Sequence, residues 1–209
     1  VRDQGQFGTC WAFASYGSLE SDLLPEGKEI FSPKNMVNLH GFDNGYDDGG
    51  QYFMSTAYLT RWDGPVEEET DPYPTQNWTD SLAYPPVLHV QDVIMMPGRS
   101  NLTDINPIKA GLQKWGAAGI AFYWNNSFFN ETTSAYYQPA TAPDQKPGSG
   151  HGVTLIGWND TFPASAFHDT PPGDGAWIIK NSWGSDFSEE GFFYISYYDK
   201  YIGSGKDPD

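Results

Sequence analysis

The chain has a single cysteine, Cys10, among its 209 residues. No internal disulfide can form, and no cysteine-based zinc site can be assembled. Basic residues are scarce: 11 Lys and Arg stand against 27 Asp and Glu, giving a formal net charge of −16. Nucleic acid and anionic membrane are therefore excluded as expected partners, because phosphate binding calls for the opposite sign. Long apolar runs are missing as well. None approaches the ~20 residues of a spanning helix, so no membrane insertion by this chain is expected. No signal-peptide pattern precedes Val1-Arg2-Asp3-Gln4, an opening expected of a processed or trimmed chain.

What is abundant points to a loop-rich domain. Aromatics reach 16%, with 23 glycines and 16 prolines, which favours an α+β architecture over a helical bundle. Cys10–Leu24 has helical spacing and stops before Pro25-Glu26-Gly27. Ser32-Pro33 offers an N-cap and a first-turn proline for a helix through Leu39, and a third helix is expected within Gly50–Trp62. A helix starting at Asn106-Pro107 and ending near Trp115-Gly116 follows. Strands are expected at Val87–Met95, Gly119–Trp124, Val153–Trp158, Ala176–Ile179 and Phe192–Tyr197, with Thr161–Gly175 as a surface loop. A helical half followed by a β half gives two lobes and a cleft between them.

The chemistry concentrates at Cys10, where the glycine-bearing loop Asp3-Gln4-Gly5-Gln6-Phe7-Gly8-Thr9 enters an apolar helix. The positive end of the helix dipole favours thiolate there. Acyl transfer also needs a base, a group that orients it, and donors for an oxyanion. His151, among small neighbours in Gly148-Ser149-Gly150-His151-Gly152, opens an apolar strand, and Asn181 ends another at Asn181-Ser182-Trp183-Gly184.

These motifs, with Asp48-Gly49-Gly50, occur in the order found in the papain-like cysteine peptidases, which the chain resembles from Val1 to about Tyr198. In that family, where papain itself defines the rule, the histidine and asparagine follow the cysteine by about 130–150 residues. His151 follows Cys10 by 141 residues and Asn181 by 171, the excess matching the Thr161–Gly175 loop. The resemblance implies a two-lobed α+β fold, a helical left lobe (about 1–100) and a β-rich, barrel-like right lobe (about 101–200), in one domain over 1–209. It implies Cys10 as nucleophile in a thiolate–imidazolium pair with His151, Asn181 as the residue holding His151, and Gln4 as oxyanion donor. Gly49, Gly50, Tyr52, Ala121, Gly152, Trp183 and Phe187 are implied to border the substrate, with Trp183 covering the His–Asn contact. No metal or organic cofactor is implied. Phe7 stands where the family has a disulfide cysteine, so packing alone is expected to hold the left lobe.

Arg61-Trp62-Asp63-Gly64-Pro65-Val66, Asp71-Pro72-Tyr73-Pro74 and Pro171–Ala176 resemble the prokaryotic cell-surface branch, which implies an extracellular or cell-surface setting. Expected partners are a peptide or protein substrate, an inhibitory propeptide and an adjoining lectin-like module, with Tyr201–Asp209 as the start of a linker. The alternatives are a catalytically silent carbohydrate- or peptide-binding module on the same fold, or a related amidase or transpeptidase. Of the other histidines, His40 and His89 read as packing residues with one satisfied nitrogen, and His168 as solvated. The acidic stretch Asp43–Gly50 lacks the EF-hand spacing and reads as a solvated turn, as does the run Glu67-Glu68-Glu69.

Overall fold

The computed structural model describes residues 1–144 and 150–204. Gly148, Ser149 and residues 205–209 of the expected linker lie outside these.

Among the described residues, four helices and six strands follow in order: α1 (Cys10–Asp22), α2 (Pro33–Leu39), α3 (Tyr52–Thr60), α4 (Asn106–Trp115), β1 (Ala118–Tyr123), β2 (Phe129–Asn130), β3 (Ala135–Tyr136), β4 (Gly150–Asn159), β5 (Ala176–Lys180) and β6 (Phe192–Ser196). Local chemistry explains the starts. At α2, the Ser32 hydroxyl accepts the Asn35 N–H at 3.1 Å and Pro33 occupies the first turn. At α4, Pro107 sits in the first turn and Gly116 leaves the helix at φ 78°.

The strands form one sheet in the order β1-β4-β5-β6-β3-β2, antiparallel except for the β3–β6 pair. β1 and β2 are its two edges and do not pair, so the sheet is open; this corrects the barrel-like expectation. Val87–Met95 is not a strand. It runs irregularly, with Leu88 and Val90 packed on the helical core while Ile94 and Met95 are exposed. No neighbouring strand offers it a ladder, and Val87 N–H instead donates to Pro65 O at 2.9 Å.

Two apolar cores result. Trp11, Tyr16, Phe31, Met36, Met54 and Tyr58 are packed among the first three helices. Phe122, Tyr136, Leu155, Trp177, Ile179, Phe193 and Ile195 are packed on the sheet side. Helix α1 belongs to the first and lies against the sheet. Its Gly17 lies against β4 so closely that a Cβ there would meet Thr154 Oγ1 at 2.2 Å. Beside that contact, Thr154 Oγ1 donates to Ala14 O at 3.4 Å and Ser18 Oγ to Ala117 O at 2.7 Å.

At the position where a disulfide cysteine was missing, Phe7 is buried within an aromatic cluster. Its ring meets Trp78, Tyr46 and Tyr73 edge-on at 5.1, 5.5 and 6.2 Å, and Tyr46 stacks on Trp78 at 4.9 Å. A buried polar group sits nearby. Lys34 Nζ and Asn35 Nδ2 donate to the Asp71 carboxylate at 2.7 and 2.8 Å, and Tyr58 OH donates to Asn35 Oδ1 at 2.6 Å. The Thr161–Gly175 segment is also more than a surface loop. Phe167 is buried and Phe162 stacks on Tyr194 at 4.4 Å, closing a third apolar cluster.

Candidate active site

Cys10 is the first residue of α1, half-buried at the junction of the two cores. The helix start is uncapped: the Thr9 hydroxyl, which could have taken a first-turn N–H, is engaged with the Tyr73 hydroxyl at 2.6 Å. The Ala12 N–H goes to Thr9 O at 3.0 Å, while the Cys10 and Trp11 N–H groups and the positive helix end are left to the thiol. From the sheet side, Gly152 N–H donates to Cys10 Sγ at 3.3 Å. The approach is close: a Cβ on Gly152 would meet the Trp11 backbone at 3.2 Å, tighter than ordinary van der Waals contact. Burial pushes the Cys10 thiol up, while hydrogen bonds from the backbone N–H groups of Gly152, Trp11 and Cys10 pull it back. Helix-end stabilisation is thus opposed by desolvation, a balance the sequence alone does not reveal.

His151 is buried on β4, beside Gly152, rather than standing open at a strand start. Its Nε2 lies 2.7 Å from Asn181 Oδ1. An amide oxygen only accepts, so Nε2 carries the hydrogen and Nδ1 is left as the basic nitrogen. The same Asn181 oxygen accepts the Ser182 N–H at 2.8 Å, which fixes the amide. Trp183 stacks over the His151 ring at 4.5 Å and 21°, sealing it from water. Burial lowers the imidazole pKa to about 4, with the Asn181 hydrogen bond raising it in part. Desolvation taken residue by residue thus favours the neutral thiol and the neutral imidazole.

Gln4 enters from the chain start, which crosses to the sheet side. Gln4 N–H donates to Ser182 O at 2.7 Å, and Gly184 N–H donates to Arg2 O at 3.0 Å. The buried Gln4 side chain donates from Nε2 to Phe7 O at 2.8 Å, and its Oε1 accepts from Ser182 Oγ at 2.6 Å. One of the two N–H bonds of the amide remains uncommitted.

The remaining candidates fall in three groups. Gly49 and Gly50 lie beside the Cys10 turn: Gly49 has φ +73°, and a Cβ on Gly50 would meet Trp11 Nε1 at 2.4 Å. Ala121 faces Gly152 across the β1–β4 pair, and the Tyr52 hydroxyl donates to Ile120 O at 2.8 Å, tying α3 to β1. Phe187 meets Trp183 edge-on at 5.0 Å. Trp124, at the end of β1, was passed over in the sequence; it meets Trp183 edge-on at 4.8 Å and stacks on Tyr136 at 5.2 Å, building the shelf under Trp183. The only signal for it was an exposed-end indole after an apolar strand.

Other histidines lie apart. His40 is buried with both nitrogens used, one near Asn44 O at 3.1 Å and one accepting the Phe42 N–H at 3.0 Å. His89 is exposed and stacks on Trp62 at 4.4 Å, so it is not a core residue, while His168 is exposed as expected. Glu68 accepts the Tyr73 N–H at 2.7 Å and is half-buried, unlike its two neighbours. Among the described residues, no group of three or more His, Cys, Asp or Glu could hold a metal ion, the Asp43–Gly50 turn included.

Comparison with known proteins matches residues 1–206 to the papain family cysteine protease profile. Cathepsin K of Gallus gallus is 27% identical over 201 residues, covering 94% of this chain and 54% of its own. The clostridial cysteine protease Cwp84 after propeptide cleavage superposes with a TM-score of 0.84 at 28% identity, covering 99% of this chain and 53% of that one. A structure of the cysteine protease and lectin-like domains of Cwp84, a surface layer associated protein of Clostridium difficile, gives 0.82 at 27% identity, covering all of this chain and 47% of that one. The chain thus spans about half the length of these relatives. It is a member of the papain family of cysteine proteases.

Proposed function

We propose that the chain is the peptidase domain of a cysteine protease, cutting peptide bonds through a covalent acyl-enzyme. The observation that carries this reading is the junction of three segments. Gly152 N–H touches Cys10 Sγ, and the adjacent His151 is locked by Asn181 through Nε2.

In the first half-reaction His151 Nδ1 takes the Cys10 proton. Sγ attacks the scissile carbonyl carbon, and the carbonyl π pair moves to oxygen. The uncommitted Gln4 N–H and the Cys10 backbone N–H receive that oxyanion; losing one such donor typically costs about 3–4 kcal/mol. The C–N bond breaks as His151 returns its proton to the leaving amine, giving a thioester. A water then gives its proton to His151 and attacks the thioester carbonyl. The C–S bond then breaks as His151 gives that proton to sulfur, so the product acid leaves and the thiol is restored. Gly49 and Gly50 offer an edge without side chains for an extended peptide, Tyr52, Ala121 and Gly152 border its side-chain pocket, and Trp183 and Phe187 border the leaving-group side.

We extend the setting from the same relatives. The substrate is a peptide or protein met outside the cell or at its surface, and the full-length protein carries an inhibitory propeptide and a lectin-like module around this domain. No helix of the described residues is long and apolar enough to cross a membrane.

The test is labelling by an epoxysuccinyl thiol probe followed by mass spectrometry of the folded protein, the denatured protein and His151→Ala. Rapid single labelling at Cys10 is expected in the folded wild type alone. Equal slow labelling of all three would overturn the assignment of Cys10 as an activated nucleophile.

A further inference from the structure

The end of α1 remote from Cys10 carries a groove of about 610 Å³ that the catalytic reading leaves unused. Backbone bonds bring its walls together. Gly27 N–H donates to Leu23 O at 2.8 Å and turns the chain back, while Glu68 N–H to Ile30 O and Ser32 N–H to Val66 O bring Glu67 alongside. Val87 is tied to Pro65 from the other side. Part of the lining is apolar. Leu23 and Leu88 also pack on the helical core, whereas Leu24 and Val87 are 57% and 47% exposed. The rest is acidic: Asp22, Glu26, Glu29 and Glu67 line the groove and all four are exposed.

This charge is left uncompensated. Among the described residues, none of the four carboxylates forms an ion pair, and Lys28 is the one basic residue in the 22–29 stretch. The helix adds to the same sign, because α1 ends here with its negative pole and with no basic residue in its last turn. A second copy of this chain is a poor occupant, since each copy carries a net charge of −16. A single metal ion is a poor one too, because no three such groups among the described residues are placed to hold it. Spread carboxylates beside exposed leucine and valine match an extended segment that carries several cations and apolar side chains.

We propose that this groove is a second binding site for the protein substrate, taking a segment in which lysine or arginine alternates with apolar residues. The proposal rests on the peptidase reading above and adds selection of substrates at a distance from the cut. The alkyl stems of the basic residues lie on Leu24 and Val87 while their heads reach the carboxylates. Distance sets a rule. Cys10 and Asp22 bound a helix of 13 residues, so they stand about 18 Å apart along its axis. An extended chain covers at most about 3.6 Å per residue, so the basic segment lies at least about five residues from the scissile bond.

Binding is read by fluorescence anisotropy on Cys10→Ala, so that no probe is cut. The probe is a labelled peptide of alternating lysine and leucine, with glutamate–leucine and lysine–glycine peptides as controls. The first should bind about tenfold tighter than either control and weaken as salt is added. Glu26→Lys and Glu131→Lys change the net charge equally, but only the first lies on the groove. Glu26→Lys should weaken binding about three- to tenfold and Glu131→Lys less than about twofold. Leu24→Ser, at an exposed position, should also cost about three- to tenfold. Turnover is then read on the chain with Cys10 in place. A reporter peptide that fills only the cleft is joined to the lysine–leucine segment by a spacer below the five-residue limit or well above it. Only the long spacer should lower KM, about three- to tenfold with kcat unchanged, and Glu26→Lys should cancel that gain without altering cleavage of the plain reporter.

Equal affinity for the lysine–leucine and glutamate–leucine peptides overturns the proposal. Equal losses in Glu26→Lys and Glu131→Lys overturn it as well, because the attraction is then the field of the whole chain. If Glu26→Lys instead alters self-association in sedimentation, a second copy is the occupant and the proposal falls. Binding without a KM gain for the long spacer removes the assignment to substrate. If the plain reporter is cut and the lysine–leucine peptide does not bind, only this proposal falls. If the peptide binds and no reporter is cut, the peptidase reading falls and takes the substrate assignment with it, leaving a groove for basic peptides.

Discussion

The two halves of the molecule are held by different means. The sheet side is bound by a backbone ladder, with apolar residues such as Leu155, Ile179 and Ile195 packed against it. The helical side has no ladder. It relies on an aromatic cluster around Phe7 and on Asp71, which gathers Lys34 and Asn35 from α2. Long-range side-chain contacts thus tie residues 7, 46, 73 and 78 together where a covalent crosslink would serve in relatives that carry one. A ladder tolerates the loss of any one side chain better than a cluster does, because its backbone bonds remain. The helical side should therefore be the weaker half and the more sensitive to single substitutions.

The largest effect is expected at Phe7. Phe7→Ala removes the centre of the cluster and should lower unfolding free energy by about 3–5 kcal/mol, measured by denaturant unfolding. Hydrogen exchange should speed up first in α1 and α2, with the sheet amides unchanged. Uniform acceleration across both halves would abolish the contrast between them.

Next comes Lys34→Met, which leaves the buried Asp71 carboxylate without its cation and should cost about 3 kcal/mol. Adding Asp71→Asn should recover much of that loss, because no unpaired charge is then buried. A double variant no better than the single would show that hydrogen bonding, not charge, carries the group.

Acid should separate the halves by pH. Burial lowers His151 to about 4, so the unfolded chain takes up a proton near 6.5 that the folded protein refuses until lower pH. The resulting stability is complete above about 6.5 and is lost as pH falls toward 4, roughly 3 kcal/mol in all. Burial alone would raise Asp71, but its bonds from Lys34, Ser81 and Asn35 hold it below its ordinary value. Its contribution is lost only below about pH 4. His151→Gln should flatten the first window and leave the second, as read from unfolding free energy between pH 3 and 7 (roughly the span of both titrations). A slope that persists in His151→Gln would assign the first window to another group.

The smallest effect is expected on the sheet side. Ile179→Val, in β5, should cost only about 0.5–1.5 kcal/mol by the same unfolding measurement. A loss as large as that of Phe7→Ala would reverse the ranking of the halves.

Legibility in the sequence follows the same divide. The four helices and the long strands declare themselves locally, through Ser32-Pro33, Asn106-Pro107 and the apolar runs after His151 and before Asn181. The two-residue strands β2 and β3 carry no such pattern, since β3 is set by β6 alongside it and β2 by β3. Val87–Met95 has strand-like composition but no neighbour to pair with. Cys10, His151, Asn181 and Gln4 stand out because their residue types and order mark a chemistry. Ser182 does not. A serine between two marked residues is chemically ordinary until Gln4, 178 positions earlier, is seen to accept its hydroxyl. The opposing pull of burial on Cys10 and His151 was equally hidden, since it depends on Trp183, Trp11 and the sheet closing around them.

Helix α1 packs in the helical core through Trp11 and Tyr16 and presses Gly17 against Thr154 of the sheet. A helix packed against both walls couples them, so a side chain added at position 17 would push α1, and with it the Cys10 thiol, away from the sheet.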